Sequence, residues 1–322
     1  MPFWSIPGRF HVTGYSPDGD SIRFAPDDPA QLGRLGGFRP RINARGHVQL
    51  RIEAIDALET HYSPPSGGGV YHQPRRWAER AQELLLDFAG ITGVVWDEGR
   101  NTVVSARDST PGHILARSVE KNGRPVAFVH AGSSPFAVGE PVFLDTAYLA
   151  KSYNIIALRQ GLAYPTFYTG LFRDLRDSLT AAVAQARTAG LGLWPEDRTN
   201  AGFDADSLAV ITDGACLLPK LFRRLVEYMS SYGTALGFRE KMQQSREPVL
   251  DLTQQNFTHL DSFIEQAEGS TRIRLTRRPE ELVFDEMQNR PADSFSRLMG
   301  DAASDPAQGV ASGTSPMGRG AA

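Results

Sequence analysis

The sequence predicts an α+β protein: a small closed barrel with packed helices, followed by a mainly helical second half. Short strand-like runs dominate the first half, and residues 47–55 (HVQLRIEAI) alternate apolar and polar side chains with a period of two. One helical pattern is inserted among these runs and two more close the half. Strands first and helices last suit a closed barrel better than a βαβ repeat, in which the two alternate.

The elements follow in order. Residues 11–13 lead into Pro17-Asp18-Gly19-Asp20, where Asp-Gly reads as a tight turn, and residues 21–24 alternate again. A Gly-, Pro- and Arg-rich stretch over 25–45 reads as a long loop. After the strand at 47–55, residues 56–69 form a loop ending in three glycines. Pro74 is placed to start a helix, and Trp77, Ala78, Ala81, Leu84, Leu85 and Phe88 recur at helical spacing up to Gly90. Strands are expected at 93–96, 102–105, 114–118 and 126–130, and helices at 146–161 and 171–189. In the second half, residues 217–232 and 257–267 carry helical patterns, and 271–276 suits a strand.

The chain has 322 residues, 41% hydrophobic and 22% charged, enough for one large domain or two ordinary ones. A boundary near residue 200 is expected. Residues 1–199 have a net charge of +1 and form the barrel domain; residues 200–322 have a net charge of −4. Residues 200–287 are read as a mainly α-helical domain, and 288–322, rich in Ala, Gly, Ser, Pro and Asp, as a disordered tail.

The total net charge of −3 excludes a polybasic protein. A lone cysteine, Cys216, excludes an intramolecular disulfide and a cysteine-clustered metal site. The basic residues are four lysines against thirty arginines, a bias that suits codon usage and also supplies the side chain best at bidentate phosphate binding. No run approaches the roughly 18 apolar residues of a membrane span. The first residues lack a basic and an apolar segment of the secretory kind, so a cytoplasmic location is the expectation. There is no P-loop, no His-Glu-x-x-His, no Gly-x-Ser-x-Gly, and no histidine pair at metal-ligand spacing on a helix.

Three short segments combine into a chemistry: Asp18-Gly19-Asp20-Ser21; Arg51 through Asp56 to Glu59-Thr60; and Lys121-Asn122-Gly123-Arg124 before a strand. Taken singly, each is an ordinary turn or solvated strand face. Together, Asp20 and Asp56 offer oxygen ligands to a hard cation. Arg51 and Arg124 offer two guanidinium groups to a phosphodiester gaining negative charge under attack. Glu59 can accept a proton from the attacking water or orient it. This is a kit for metal-assisted phosphodiester hydrolysis.

These segments resemble the staphylococcal nuclease (thermonuclease) family, whose pattern is Asp-Gly-Asp-Thr, Arg-x-x-x-x-Asp-x-x-Glu, a Gly-Arg before a strand, and Leu-x-x-x-Gly-x-Ala in a helix. The last is approached by Leu158-Arg159-Gln160-Gly161-Leu162-Ala163 here, with one residue fewer between Leu and Gly, and the family's closing small-residue helix before a tryptophan matches 181–187 and Trp194. The resemblance covers about residues 9–198. It implies a five-stranded OB-fold β-barrel with packed helices and Ca2+-dependent cleavage of DNA and RNA, with Mg2+ or Mn2+ as other candidate ions, leaving 3′-phosphate and 5′-hydroxyl ends. It further implies Asp20, Asp56 and the Ala57 carbonyl as metal ligands, Arg51, Glu59 and Arg124 as catalytic residues, and Lys121, Tyr164 and Tyr168 as substrate-binding residues. Ala57-Leu58 replaces the family's usual Thr-Pro between the acids, and Asn122 stands where an aromatic is common. Three insertions, about 25–45, 61–72 and 132–148, enlarge the loops. The rival expectation is a nuclease-like barrel that binds nucleic acid or protein without cutting. On that reading residues 200–287 regulate the barrel or bind a homo-oligomeric or other protein partner; no membrane is expected in either case.

Overall fold

The computed structural model describes residues 2–285. The first strands and helix are β1 (Phe3–His11), β2 (Arg23–Pro26), β3 (Gly36–Gly37), β4 (Val48–Gln49), β5 (Arg51–Ile52), β6 (Ile55–Asp56) and α1 (Arg75–Phe88). There follow β7 (Thr92–Trp96), β8 (Val103–Arg107), β9 (Thr110–Val119), β10 (Pro125–Ala131) and β11 (Pro141–Val142). The main sheet runs β4-β2-β1-β9-β10-β5. Its two outermost members, β4 and β5, are consecutive in the chain with only Leu50 between them. The Leu50 amide bonds the Ile22 carbonyl at 2.9 Å and the Ile52 amide bonds the Asp20 carbonyl at 3.0 Å. One bent stretch, 48–52, therefore borders both edges, with β2 on one side and β10 on the other, and the sheet curls into a nearly closed barrel. Phe10, Phe24, Val48, Leu50, Ile52, Leu115 and Phe128 are fully buried, as the two-residue alternation requires.

The strand expected over 47–55 is thus broken. Its second interruption is Ala54, which adopts φ +67°, the left-handed region that side chains disfavour. The buried Asn154 staples this kink: its amide nitrogen donates to the Glu53 and Ala127 carbonyls at 2.7 and 3.2 Å, and its oxygen accepts from the Val129 amide at 3.0 Å. The kink re-aims Ile55–Asp56 to pair with β12 (Tyr164–Pro165).

The helix expected over 146–161 is split into α2 (Thr146–Leu149) and α3 (Tyr153–Arg159), because Ser152 caps the second. After β12 come β13 (Phe167–Tyr168) and α4 (Arg173–Thr188). The reading of 200–287 as mainly helical is corrected. It holds α5 (Pro219–Tyr232) and α6 (Phe238–Ser245), together with β14 (Phe203–Asp204), β15 (Pro248–Asp251), β16 (Asn256–His259), β17 (Ile264–Glu265), β18 (Arg272–Leu275) and β19 (Leu282–Phe284). The helical pattern over 257–267 resolves into β16, one 3₁₀ turn and β17. Phe257, Leu260 and Phe263 recur every three residues, and that spacing also suits the 3₁₀ turn that buries Leu260 and Phe263.

Elements on the two sides of residue 200 share a sheet, ordered β13-β19-β15-β16, with Tyr168 paired to Phe284. Residues 1–286 group as one compact unit. The expected tail at 288–322 lies outside the described residues. Among the described residues, no helix is long and apolar enough to cross a membrane.

Candidate functional site

The Asp-Gly-Asp segment is a tight turn wedged between the barrel and α1. Asp18 and Ser21 form an isolated bridge, and a Cβ at Gly19 would lie 2.6 Å from the Cβ atoms of both Ala57 and Ala81, so only glycine fits. The hydroxyl of the buried Tyr153 donates to the Gly19 carbonyl at 2.7 Å. Asp20 reaches across to the loop after β6, where the Ala57 amide donates to its Oδ2 at 3.1 Å. Two residues further on, the Glu59 amide bonds Oε1 of Gln73 at 3.2 Å, and Nε2 of Gln73 bonds the Leu217 carbonyl at 2.8 Å. The fully buried Gln73 thus ties the acidic loop to the approach of α5.

Asp18, Asp20 and Glu59 are each perturbed by a neighbouring carboxylate of this cluster. Burial, then the charges of Asp18 and Asp56, push the Asp20 carboxyl well above its usual range. Burial raises Asp18 as well, reinforced by Glu59. Burial also pushes Glu59 up to about 7, with the nearby aspartates adding to the rise and Arg223 opposing it.

Arg223, which the sequence did not single out, answers this excess of negative charge. From the first two turns of α5 its guanidinium takes both oxygens of Asp56, Nη1 to Oδ1 at 3.1 Å and Nη2 to Oδ2 at 2.8 Å, in a fork-to-fork pair. Nη1 also donates to Oε1 of Glu59. Helix α5 is fixed by its buried face: Leu221, Phe222, Leu225, Val226 and Met229. Tyr62 meets the Phe222 ring edge-on at 6.3 Å, and Ser230 donates to the Tyr71 hydroxyl at 3.1 Å, so the inserted loop 61–72 helps seat the helix.

Arg51 and Arg124 come from neighbouring strand ends. Arg51 registers with Val126, so Arg124, two residues before Val126, lies on the same side of the sheet by alternation. The Arg51 guanidinium lies 4.5 Å from the centre of the Tyr168 ring. Burial works against its charge, but Tyr168 and the carboxylates of Asp56 and Glu53 outweigh it and raise its pKa. Tyr168 is shifted the other way: burial would raise its phenol, yet Lys220 and Arg51 bring it below the usual value. Arg124 donates Nε to the buried Glu120 at 3.1 Å, and Glu120 also accepts from the Asn122 amide at 3.0 Å, which fixes the turn bearing Lys121 and Gly123. Lys121 is exposed on that turn.

The structure therefore gathers Asp20, Asp56, Ala57, Glu59, Arg51 and Tyr168, with Arg124 in the turn just before β10. Tyr164 is not among them. Its backbone pairs with Asp56, but its ring is fully buried against Trp194 and its hydroxyl donates to Asp197 at 2.8 Å, so it is a core residue. Besides Arg223, sequence reasoning missed Lys220, whose Nζ lies 5.6 Å from the Tyr168 ring centre and 2.7 Å from Glu247. The one signal available was a basic cluster, Lys220, Arg223 and Arg224, inside an apolar helical pattern. A cavity of about 360 Å³ opens beside Asp18, with Arg23, Gln49 and His61 on its wall.

The divalent cation implied by the sequence does not fit this arrangement. The oxygens are of the right chemical kind. However, three of them are taken by Arg223, and among the described residues no group of three His, Cys, Asp or Glu side chains converges as metal ligands. No family model matches the chain, and no curated protein is significantly similar to it.

Proposed function

We propose that the chain is a nuclease of the staphylococcal type, acting on phosphodiesters of DNA or RNA from an OB-fold barrel. The observation that carries this reading is the meeting of Asp20, from one turn, with Arg51, Asp56 and Glu59, from a second segment some thirty residues later, at one rim of the barrel. Arg51, braced on Tyr168, and Arg124 would hold the phosphate oxygens bidentately and stabilise the charge that develops on them. Glu59, raised to about 7, is poised to take a proton from water near neutrality. Tyr168 supplies an aromatic face on which a base can stack.

A second reading is favoured by Arg223. With the acidic residues already neutralised, the barrel binds single-stranded nucleic acid and leaves it intact.

The test is cleavage of single-stranded DNA, RNA and plasmid by the full-length chain and its Arg223→Met variant, in Ca2+, Mg2+, Mn2+ or EDTA. Cleavage is expected, slow in the parent, and lowered at least about 100-fold by Arg51→Ala or Glu59→Ala, the scale of losing one charge-stabilising group. Binding of the oligonucleotide with no cutting by either protein is the outcome of the second reading.

A further inference from the structure

The acidic cluster already has a cation, and it belongs to the chain itself. Arg223 engages both oxygens of Asp56 and one of Glu59, the carboxylates that the nuclease reading gives to the metal and to the attacking water. A hard divalent ion would need the same lone pairs at shorter range, and would then face a like charge at contact distance. The guanidinium and the ion cannot both occupy the site.

The placement of Arg223 is built into the fold. It sits one residue after the fully buried Phe222, on a helix whose apolar face is part of the common core. Gln73 bonds both the Glu59 amide and the Leu217 carbonyl, so the acidic loop and the start of the helix move together. Lys220 and Arg224 are engaged elsewhere, both with Glu247, at 2.7 and 3.1 Å. Of the three basic residues at the start of α5, Arg223 alone bonds Asp56 and Glu59.

We propose that Arg223 stands where a divalent cation would stand, so that the folded chain neutralises its acidic cluster internally and excludes the metal. The inference rests on the nuclease reading only for the choice of competing ion; the contact itself does not depend on it.

Calorimetric titration with Ca2+ tests the proposal on the full-length chain and its Arg223→Met and Arg223→Gln variants. The parent is expected to bind no Ca2+ at millimolar concentration. The variants are expected to bind at least tenfold more tightly, to gain thermal stability with Ca2+ where the parent does not, and to lose the binding when Asp56→Asn is added. Equal binding by parent and variants overturns the proposal, as do folded variants that bind no Ca2+ or retain binding with Asp56→Asn. Variants that fail to fold even with Ca2+ present also overturn it, since the ion should then replace the guanidinium. Cleavage measured in parallel separates the two claims. A variant that binds Ca2+ but does not cut ends the nuclease reading and leaves the exclusion standing. A parent that binds Ca2+ and cuts ends the exclusion alone.

Discussion

Ala54 shows how one residue's backbone directs the site. Its positive φ turns the chain so that Asp56 leaves the barrel strand and meets Arg223. A non-glycine residue in this region costs about 1–2 kcal/mol, and a β-branched one more. Ala54→Val is therefore expected to destabilise the protein by more than about 2 kcal/mol although it adds apolar surface. Ala54→Gly should stay within about 1 kcal/mol of the parent, relief of strain offsetting the lost methyl and the greater freedom of the unfolded chain. Urea unfolding of both variants checks this. His130 gives a prediction in pH. It is stacked between His113 and Tyr148, at ring distances of 5.0 and 4.6 Å, and its Nε2 is buried without a partner. Burial first, then His113 and Lys151, lower its pKa to about 3 from 6.5. The folded state therefore keeps His130 neutral where the unfolded state takes up a proton. Its contribution is fully present above pH 6.5 and is lost as pH falls toward 3, by up to about 5 kcal/mol. Stability measured by denaturant at pH 7.5 and pH 4.5 should fall accordingly. His130→Phe, which removes the titrating group and strands no hydrogen bond, should flatten that fall; an equally steep fall in the variant would refute the assignment.

At the scale of elements, what could be read from the sequence was what is local. The strands at 93–96, 102–105, 114–118 and 126–130 and the helix after Pro74 are found where alternation and helical spacing put them. The three motif segments are contiguous stretches, so their turns and residue types were visible before any fold was known. The helix at α5 was visible too, but its side chains were not assignable. Arg223 and Arg224 are adjacent, both border an apolar stripe, and nothing in the pattern says which one turns inward. The choice is made by Asp56, 167 residues away. The reading of 257–267 failed for a related reason. Its apolar spacing of three serves a helix and a 3₁₀ turn alike, and pairing of β16 with β15 decided between them. The loop 61–72 gained its meaning in the same way, since only the folded chain brings Tyr62 and Tyr71 against α5.

For the whole molecule, the pairing of β13 with β19 and the Arg223 contacts make the two halves interdependent. Removing residues 200–322 would strip β13 of its partner strand, expose the apolar surface covered by α5, and leave Asp56 and Glu59 without their guanidinium. Breaking a buried pair by removing one partner costs about 3–5 kcal/mol, a large share of the total stability of an ordinary domain. The fragment 1–199 is therefore expected to lack the cooperative unfolding transition of the full chain, followed by far-ultraviolet circular dichroism on heating; a sharp transition at the parent's temperature would show the halves to be independent.

The long interval between Asp56 and Arg223 also has a consequence in time. Protein synthesis adds about 5–20 residues each second, so the 167 residues that separate them take about 10–30 s to make. Throughout that interval the nascent barrel carries its crowded carboxylates without the guanidinium that pairs with Asp56 and Glu59 in the folded chain. They must stay in water or protonated, and the acidic rim is the last part of the barrel that can close. The order of translation thus dictates an order of assembly, with the barrel strands first and the sealing of the acidic rim only after the ribosome has delivered the helix that completes it.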